Sequence, residues 1–200
     1  MAIVINGSGT VTGLAVGGLP DGTVDSGTLA TNSVDSAELI DGSIDTAHIA
    51  ANQITTAIMP TGSVLQVVVG ELNSTAATSS TSFVDSGLSA SITPRSTASK
   101  ILVTFNAGGI NKSAENNQCI SFKLIRGSTH VHGGANVFFT GTGFGISGID
   151  AGFTHLDSPS TASAVTYKIT FKARIAASVS MATGGEASQG ARLILTEIAG

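Results

Sequence analysis

Two imidazoles separated by one residue, His130 and His132, are the side chains whose type and spacing come closest to a chemical device. Residues two apart on an extended strand project to one side, so three copies of the chain around an axis would present six imidazoles to one transition metal. No acidic residue flanks the pair, and the pattern is not repeated, so no partner orients the rings for coordination. The expected reading is a pair of loop histidines beside Gly133 and Gly134, with no metal bound. His48 falls at a variable position of a repeat and is expected to be exposed.

The remaining candidates are weaker. Asp150 and Asp157 could be imagined as a glycosidase pair, but a sugar-cleaving cleft would supply stacking aromatics, and the chain has no Trp and only Tyr167. Gly143, Gly145 and Gly148 match a dinucleotide-binding fingerprint by letter, yet they sit among β signals with no parallel strand-helix-strand unit around them. No Gly-x-Ser-x-Gly elbow, His-Glu-x-x-His, phosphate-binding loop or Cys-x-x-Cys occurs. The chain is read as a non-enzyme that needs no cofactor.

The elements that must carry these residues are foreshadowed by composition. In 200 residues, 42% hydrophobic content and 25 glycines favour one core built of short strands joined by tight turns. Cys119 is the sole cysteine and has no intrachain partner for a disulfide. Residues 1 to 20 lack a basic leader and an apolar run of signal length, and no stretch approaches the ~20 apolar residues of a membrane span, so membrane insertion is not expected. The net charge of -4 hides a segregation: all nine Lys and Arg lie at or after Arg95. Before it stand eight acids and no base; from Arg95 onward nine bases face five acids, an excess of +4. An all-acidic half cannot neutralise phosphates, and the basic half has no aromatic stacking set, so nucleic acid is not an expected partner.

From Asp21 to Pro60 the chain reads in tens: DGTVDSGTLA, TNSVDSAELI, DGSIDTAHIA, ANQITTAIMP. Every fifth residue is apolar, through Val24, Leu29, Val34, Leu39, Ile44, Ile49, Ile54 and Met59, and the series extends back to Leu14 and on to Val64. A step of five alternates faces on a strand and smears around a helix, so the chain must turn within each unit. An extended piece ending at Val or Ile, followed by Asp-Ser or Asp-Thr capping one helical turn, fits the pattern. Such a rod has no second layer of its own, and a self-coiled solenoid would have barely the three turns that stability requires. Wrapping by several chains is the better explanation. Those eight residues, Val24 to Met59, are expected to form the buried seam of a trimeric shaft over 21–63, after an anchoring segment over 1–20.

From Val64 the period becomes two, over 64–200. Tyr167, Ile169, Phe171, Ala173 and Ile175 alternate with Thr166, Lys168, Thr170, Lys172 and Arg174, the mark of an antiparallel strand buried on one face. Ile101, Val103 and Phe105 are expected to face inward likewise, with weaker alternation at 120–126. The runs 64–69 and 191–198 are apolar on both faces, as if placed between a sheet and a neighbouring subunit. With 82–92, 135–139 and 149–155 there are about eight strands, which suits a jelly-roll-like antiparallel β-sandwich head on a mainly β chain.

The segment TSFVDSGLSASITPRSTASKILV over 81–103 resembles a sequence recurrent in tail-fibre-like proteins of phages of marine bacteria. LIRGST over 124–129, LDSPSTASAVTYK over 156–168 and LILTEIAG over 193–200 are similar to the same group, as are MAIVINGSGT over 1–10 and the Val-Asp-Ser decads. The resemblance implies a homotrimeric virion structural protein, a tail fibre with a head like the tumour-necrosis-factor or complement-globular type, assembled in the host cytoplasm. Other virion proteins would hold the N-terminus, and the head would meet a host-surface receptor. The +4 excess suits an anionic polysaccharide there, contacted through loops at 108–118, 127–136 and 141–148. The His-x-His pair is similar to the iron sites at the tips of some phage fibres. A head fibre or capsid decoration protein shares the architecture and is the alternative; a lytic or depolymerising spike would need a catalytic cleft that these residues do not show.

Overall fold

Alternating apolar and polar residues become strands wherever one face can be buried and the other left wet, and this governs the part of the chain after Val64. The computed structural model describes residues 4–5, 11–12, 27, 29, 44, 47–50, 54–55, 58–115, 117–137, 146–182 and 190–200. Among these there is no helix. The chain divides into two compact units, Met1–Gln53 and Ile54–Gly200.

In the first unit β1 (Val4–Ile5) pairs antiparallel with β2 (Val11–Thr12), Val4 opposite Thr12. In the second unit, Ile58 and Met59 both direct their amides at the Thr55 carbonyl, at 3.0 and 3.3 Å. Ten strands follow: β3 (Val64–Leu72), β4 (Ala76–Thr78), β5 (Val84–Ile92), β6 (Lys100–Lys112), β7 (Ile120–Arg126), β8 (Thr129–Val137), β9 (Ile146–Asp157), β10 (Val165–Ala173), β11 (Val179–Met181) and β12 (Ala191–Ile198).

They form two antiparallel sheets. The first runs β3-β12-β6, with β9 on the far edge of β6 and the short β11-β4 ladder continuing beside the end of β6 that β12 does not reach. The second runs β5-β10-β7-β8. Between them lie Leu88, Ile101, Phe105, Leu124, Tyr167, Phe171 and Leu193, all fully buried. Each such side chain removed from water stabilises the fold by ~1.5–3 kcal/mol. Phe105 of the first sheet meets Phe122 of the second edge to face, centroids 5.1 Å apart, so the sheets interlock through the quadrupole-favoured ring arrangement. Gly70 lets β3 lie against β5: a Cβ there would sit 2.2 Å from the Ser89 carbonyl oxygen.

The inward assignments of Ile101, Val103 and Phe105, and the strand at 120–126, match the structure. Three boundaries differ. The strand read at 135–139 begins at Thr129, because Gly127 at φ +58° and Ser128 make a two-residue turn that starts the return strand at once. The histidine pair therefore stands on a strand rather than in a loop, and Gly133, at φ +88°, accommodates the irregular β7-β8 register. β10 ends at Ala173 rather than Ile175, since the Ala173 amide bonds Ser80 and the Arg174 amide bonds Cys119 outside the ladder. β6 and β9 take Gly108 to Lys112 and Ile146 to Gly148 out of two expected loops.

Candidate functional site

β8 and β9 are the neighbouring edge strands of the two sheets, and the histidines gather there. His132 does not pair with His130 but stacks on His155 of β9, centroids 4.7 Å apart and planes 23° from parallel, with Phe153 4.9 Å away on its other contact. His130 Nε2 instead lies 3.0 Å from the His132 carbonyl and 3.2 Å from that of Gly133. Burial first, then the neighbouring His155 and His130, hold the His132 imidazole below its ordinary value. His155 is read from the sequence only as the end of the strand 149–155 and not as a site residue, although period-two spacing from Phe153 places it on the inward face of that strand. Among the described residues no group of three or more His, Cys, Asp and Glu side chains is arranged to hold a metal.

Asp157 and Asp150 have separate roles. The Asp157 carboxylate is buried between the sheets and accepts from Arg126 at 2.6 Å and from the Tyr167 hydroxyl at 2.6 Å. Burial and then this carboxylate push the Tyr167 phenol far above its ordinary value, which keeps it a donor. β7 and β10 thus clasp β9 across the sandwich through one oxygen. Asp150 is exposed and lines a hollow of about 350 Å³ with Asn106 and Arg192 on the outside of the first sheet. Of the glycine fingerprint, Gly148 lies on β9, while Gly143 and Gly145 fall outside the described residues.

The register sorts the connections between two poles of the second unit. Val64 is opposite Ile198, Ile198 opposite Lys100, and Arg126 opposite Tyr167, so the turns at 93–99, 127–128 and 158–164 share the pole where the chain enters and ends. The described parts of the connection after β6, 113–115 and 117–119, and the connection at 174–178 lie at the opposite pole. What remains of the expected host-contact loops is therefore divided: 113–118 at the far pole, the Gly127-Ser128 turn at the near one. Residues 138–145 are outside the described set.

The two outward faces differ in chemistry. On the second sheet Lys123 and Lys172 hold their ammonium groups 4.2 and 5.1 Å from the centre of the Phe83 ring, and Lys168 bonds Asp85 at 2.9 Å. This is an aromatic platform under two cations, which no periodicity signals. On the first sheet the outward residues line up in rows: Val67, Thr196, Leu102 and Leu156, then Val69, Ile194, Thr104 and Thr154. A polar row follows, where Arg192 bonds Glu71 at 3.0 Å. Glu197, by contrast, points inward. Burial alone would raise its carboxyl, but hydrogen bonds from Gln66 and the Arg95 amide outweigh it and hold the group below the usual carboxylate range.

Of the eight expected seam residues, Leu29, Ile44, Ile49 and Ile54 are exposed in the single chain and Met59 is half-buried. Val24, Val34 and Leu39 lie outside the described residues. Among the described residues no helix is long and apolar enough to cross a membrane. No protein-family model matches the chain, and no curated protein matches it.

Proposed function

We propose that this chain is a bacteriophage virion fibre protein, a homotrimer whose N-terminal decads form a shaft and whose C-terminal unit is a jelly-roll head that contacts the host surface. The observation that carries the reading is the set of large apolar side chains left bare at five-residue spacing. Ile44, Ile49 and Ile54 keep 50%, 39% and 52% of their surface in the single chain. Solvent exposure of such residues in regular succession has a physical cause when further copies cover them.

The head reading rests on strand order. Lettered A to H in chain order, the eight long strands form sheets A-H-C-F and B-G-D-E, the arrangement of a jelly roll with two Greek keys. Binding rather than catalysis is the role these features favour. Host contact is assigned to the far pole, around 113–119, and to the lysine-bearing face of Lys123, Lys168 and Lys172, whose charge suits an anionic surface polysaccharide.

Light scattering of the purified full chain tests the assembly: three chain masses are expected, and a single chain mass at micromolar concentration overturns it. Antibody labelling of the head on intact particles tests the place of attachment. Signal at the tail tip supports the fibre, whereas signal spread over the shell makes this a capsid decoration protein.

A further inference from the structure

The outward face of the second sheet brings cations together without matching acids. Lys123 on β7 and Lys172 on β10 are diagonal neighbours in the register, and both rest their ammonium groups on the ring of Phe83. Gly134, at φ +102°, makes room for one of them, since a Cβ there would sit 3.1 Å from Lys123 Cε. Among the described residues neither ammonium meets a carboxylate at ion-pair distance. Asp85, on the same face, is already held by Lys168 at 2.9 Å and by the Gly87 amide at 2.9 Å. Thr170 stands between Asp85 and Lys123 in the register. Its neighbours Ile169 and Phe171 both point into the core, so Thr170 shares the outward side with the two lysines. Thr170 keeps only 9% of its surface, and its hydroxyl oxygen is sealed from solvent with no hydrogen-bond partner. An unpaired buried hydroxyl and two unneutralised like charges beside it are each unfavourable, and one anionic ligand satisfies both.

We propose that this face is a phosphate-binding site, with Lys123 and Lys172 on the phosphate oxygens and the Thr170 hydroxyl donating to it from the sheet surface. The proposal deepens the host-contact reading of the lysine-bearing face and rests on it for the place of the ligand. The side-chain chemistry selects the anion. Lysine is a compact point charge that suits a tetrahedral anion, whereas a planar carboxylate is matched best by the paired donors of arginine. Two ammonium groups balance the dianion of a phosphate monoester, and the hydroxyl adds a neutral third donor. Phe83 is a positioning residue: its ring holds both cations in place before any ligand arrives, which lowers the ordering cost of binding. The lysine stems are long and rotatable, so they can lift from the ring and uncover the hydroxyl as the anion enters.

Calorimetric titration of the intact full-length protein tests this, with glucose-6-phosphate, inorganic phosphate, glucuronate and glucose as probes. The sugar phosphate is expected to bind about fivefold or more tightly than glucuronate, and glucose to give no heat. Inorganic phosphate binding as tightly as the sugar phosphate points to the free anion, and weaker binding to a phosphate carried on a sugar; either order supports the site. Lys123→Ala combined with Lys172→Ala should weaken binding of the sugar phosphate by about tenfold or more. Thr170→Val should weaken it about threefold while the melting temperature holds or rises, because an unpaired hydroxyl is removed. Lys100→Ala, on the first sheet, should leave the affinity unchanged. No binding by the parent protein, equal binding of glucuronate, or equal losses in Lys100→Ala and the double variant would overturn the site and leave the fibre reading standing. Binding through these residues in a protein whose antibodies never label particles would keep the site and strike the host contact.

Discussion

His132 on β8 stacks on His155 on β9, centroids 4.7 Å apart, so the edge between two sheets is closed by a pair of imidazoles that cannot both charge without repulsion. His130 shares β8 with the stack, Asp150 lies further along β9, Lys123 stands on the adjoining β7 and Lys100 and Lys112 on the adjoining β6, while Asp157 of β9 is already engaged by Arg126 and Tyr167.

The sign of the pH effect follows. His132 is held below its ordinary 6.5, by burial first, then by His155 and His130. The unfolded chain therefore binds that proton more readily, and stability falls as pH drops through the unfolded value. The melting temperature is expected to decline between about pH 7 and about pH 5, and His132→Asn to flatten the decline. A slope identical in the variant and the parent would sink this assignment.

The clasp on Asp157 orders a second set of variants. Tyr167→Phe removes one hydroxyl donor from a buried carboxylate and should cost about 1–3 kcal/mol. Asp157→Ala leaves both Arg126 and Tyr167 without their acceptor and should cost more, about 3 kcal/mol, the partly exposed guanidinium keeping some water. Urea midpoints measure both, and the reverse order would contradict the shared-oxygen geometry.

Gly70→Ala should be out of proportion to its size. The added carbon would lie 2.2 Å from the Ser89 carbonyl oxygen, a rigid backbone atom, so β3 must move away from β5. Overpacking of this kind costs about 1–3 kcal/mol or more, and a drop of that size in unfolding free energy is the expected result. An unchanged midpoint would show that the two strands do not approach so closely.

Ile44→Asp addresses the decads. If three copies meet along the five-residue series, the change buries three carboxylates near one axis and should weaken assembly by several kcal/mol, on the order of the cost of burying unpaired charge. Light scattering and thermal melting of the full chain read it. Unaltered mass and melting would remove Ile44 from the seam.

Much of the sandwich was legible because its rule is local. Alternation at 101–105 and 166–173 named inward residues correctly, and the doubly apolar runs at 64–69 and 191–198 proved to be neighbouring antiparallel strands of one sheet. The histidine site was less legible: His132 meets His155 through the juxtaposition of two sheet edges, 23 residues apart in sequence, which no periodicity encodes. The pairing of Lys123 and Lys172 with Phe83 was hidden for the same reason, since only the register β7-β10 makes the two lysines diagonal neighbours on adjacent strands. Gly-rich stretches misled in the other direction. Gly133 and Gly134 read as loop, yet serve a strand that must absorb a register shift.

The pairing of β3 with β12 has a mechanical consequence. The first and last strands of the second unit lie antiparallel over nearly their whole length, tied at the end by Gly62 and Ala199, with the Gly62 amide donating at 2.8 Å and the Ala199 amide donating back to Ser63 at 2.8 Å. Tension between the Val64 end of β3 and the opposite pole of the sandwich pulls parallel to the strands and across ladder bonds that stand perpendicular to them. Those bonds are loaded together in shear, instead of parting one after another as they would when peeled, so the strand by which the chain enters the sandwich is also its tether against pulling.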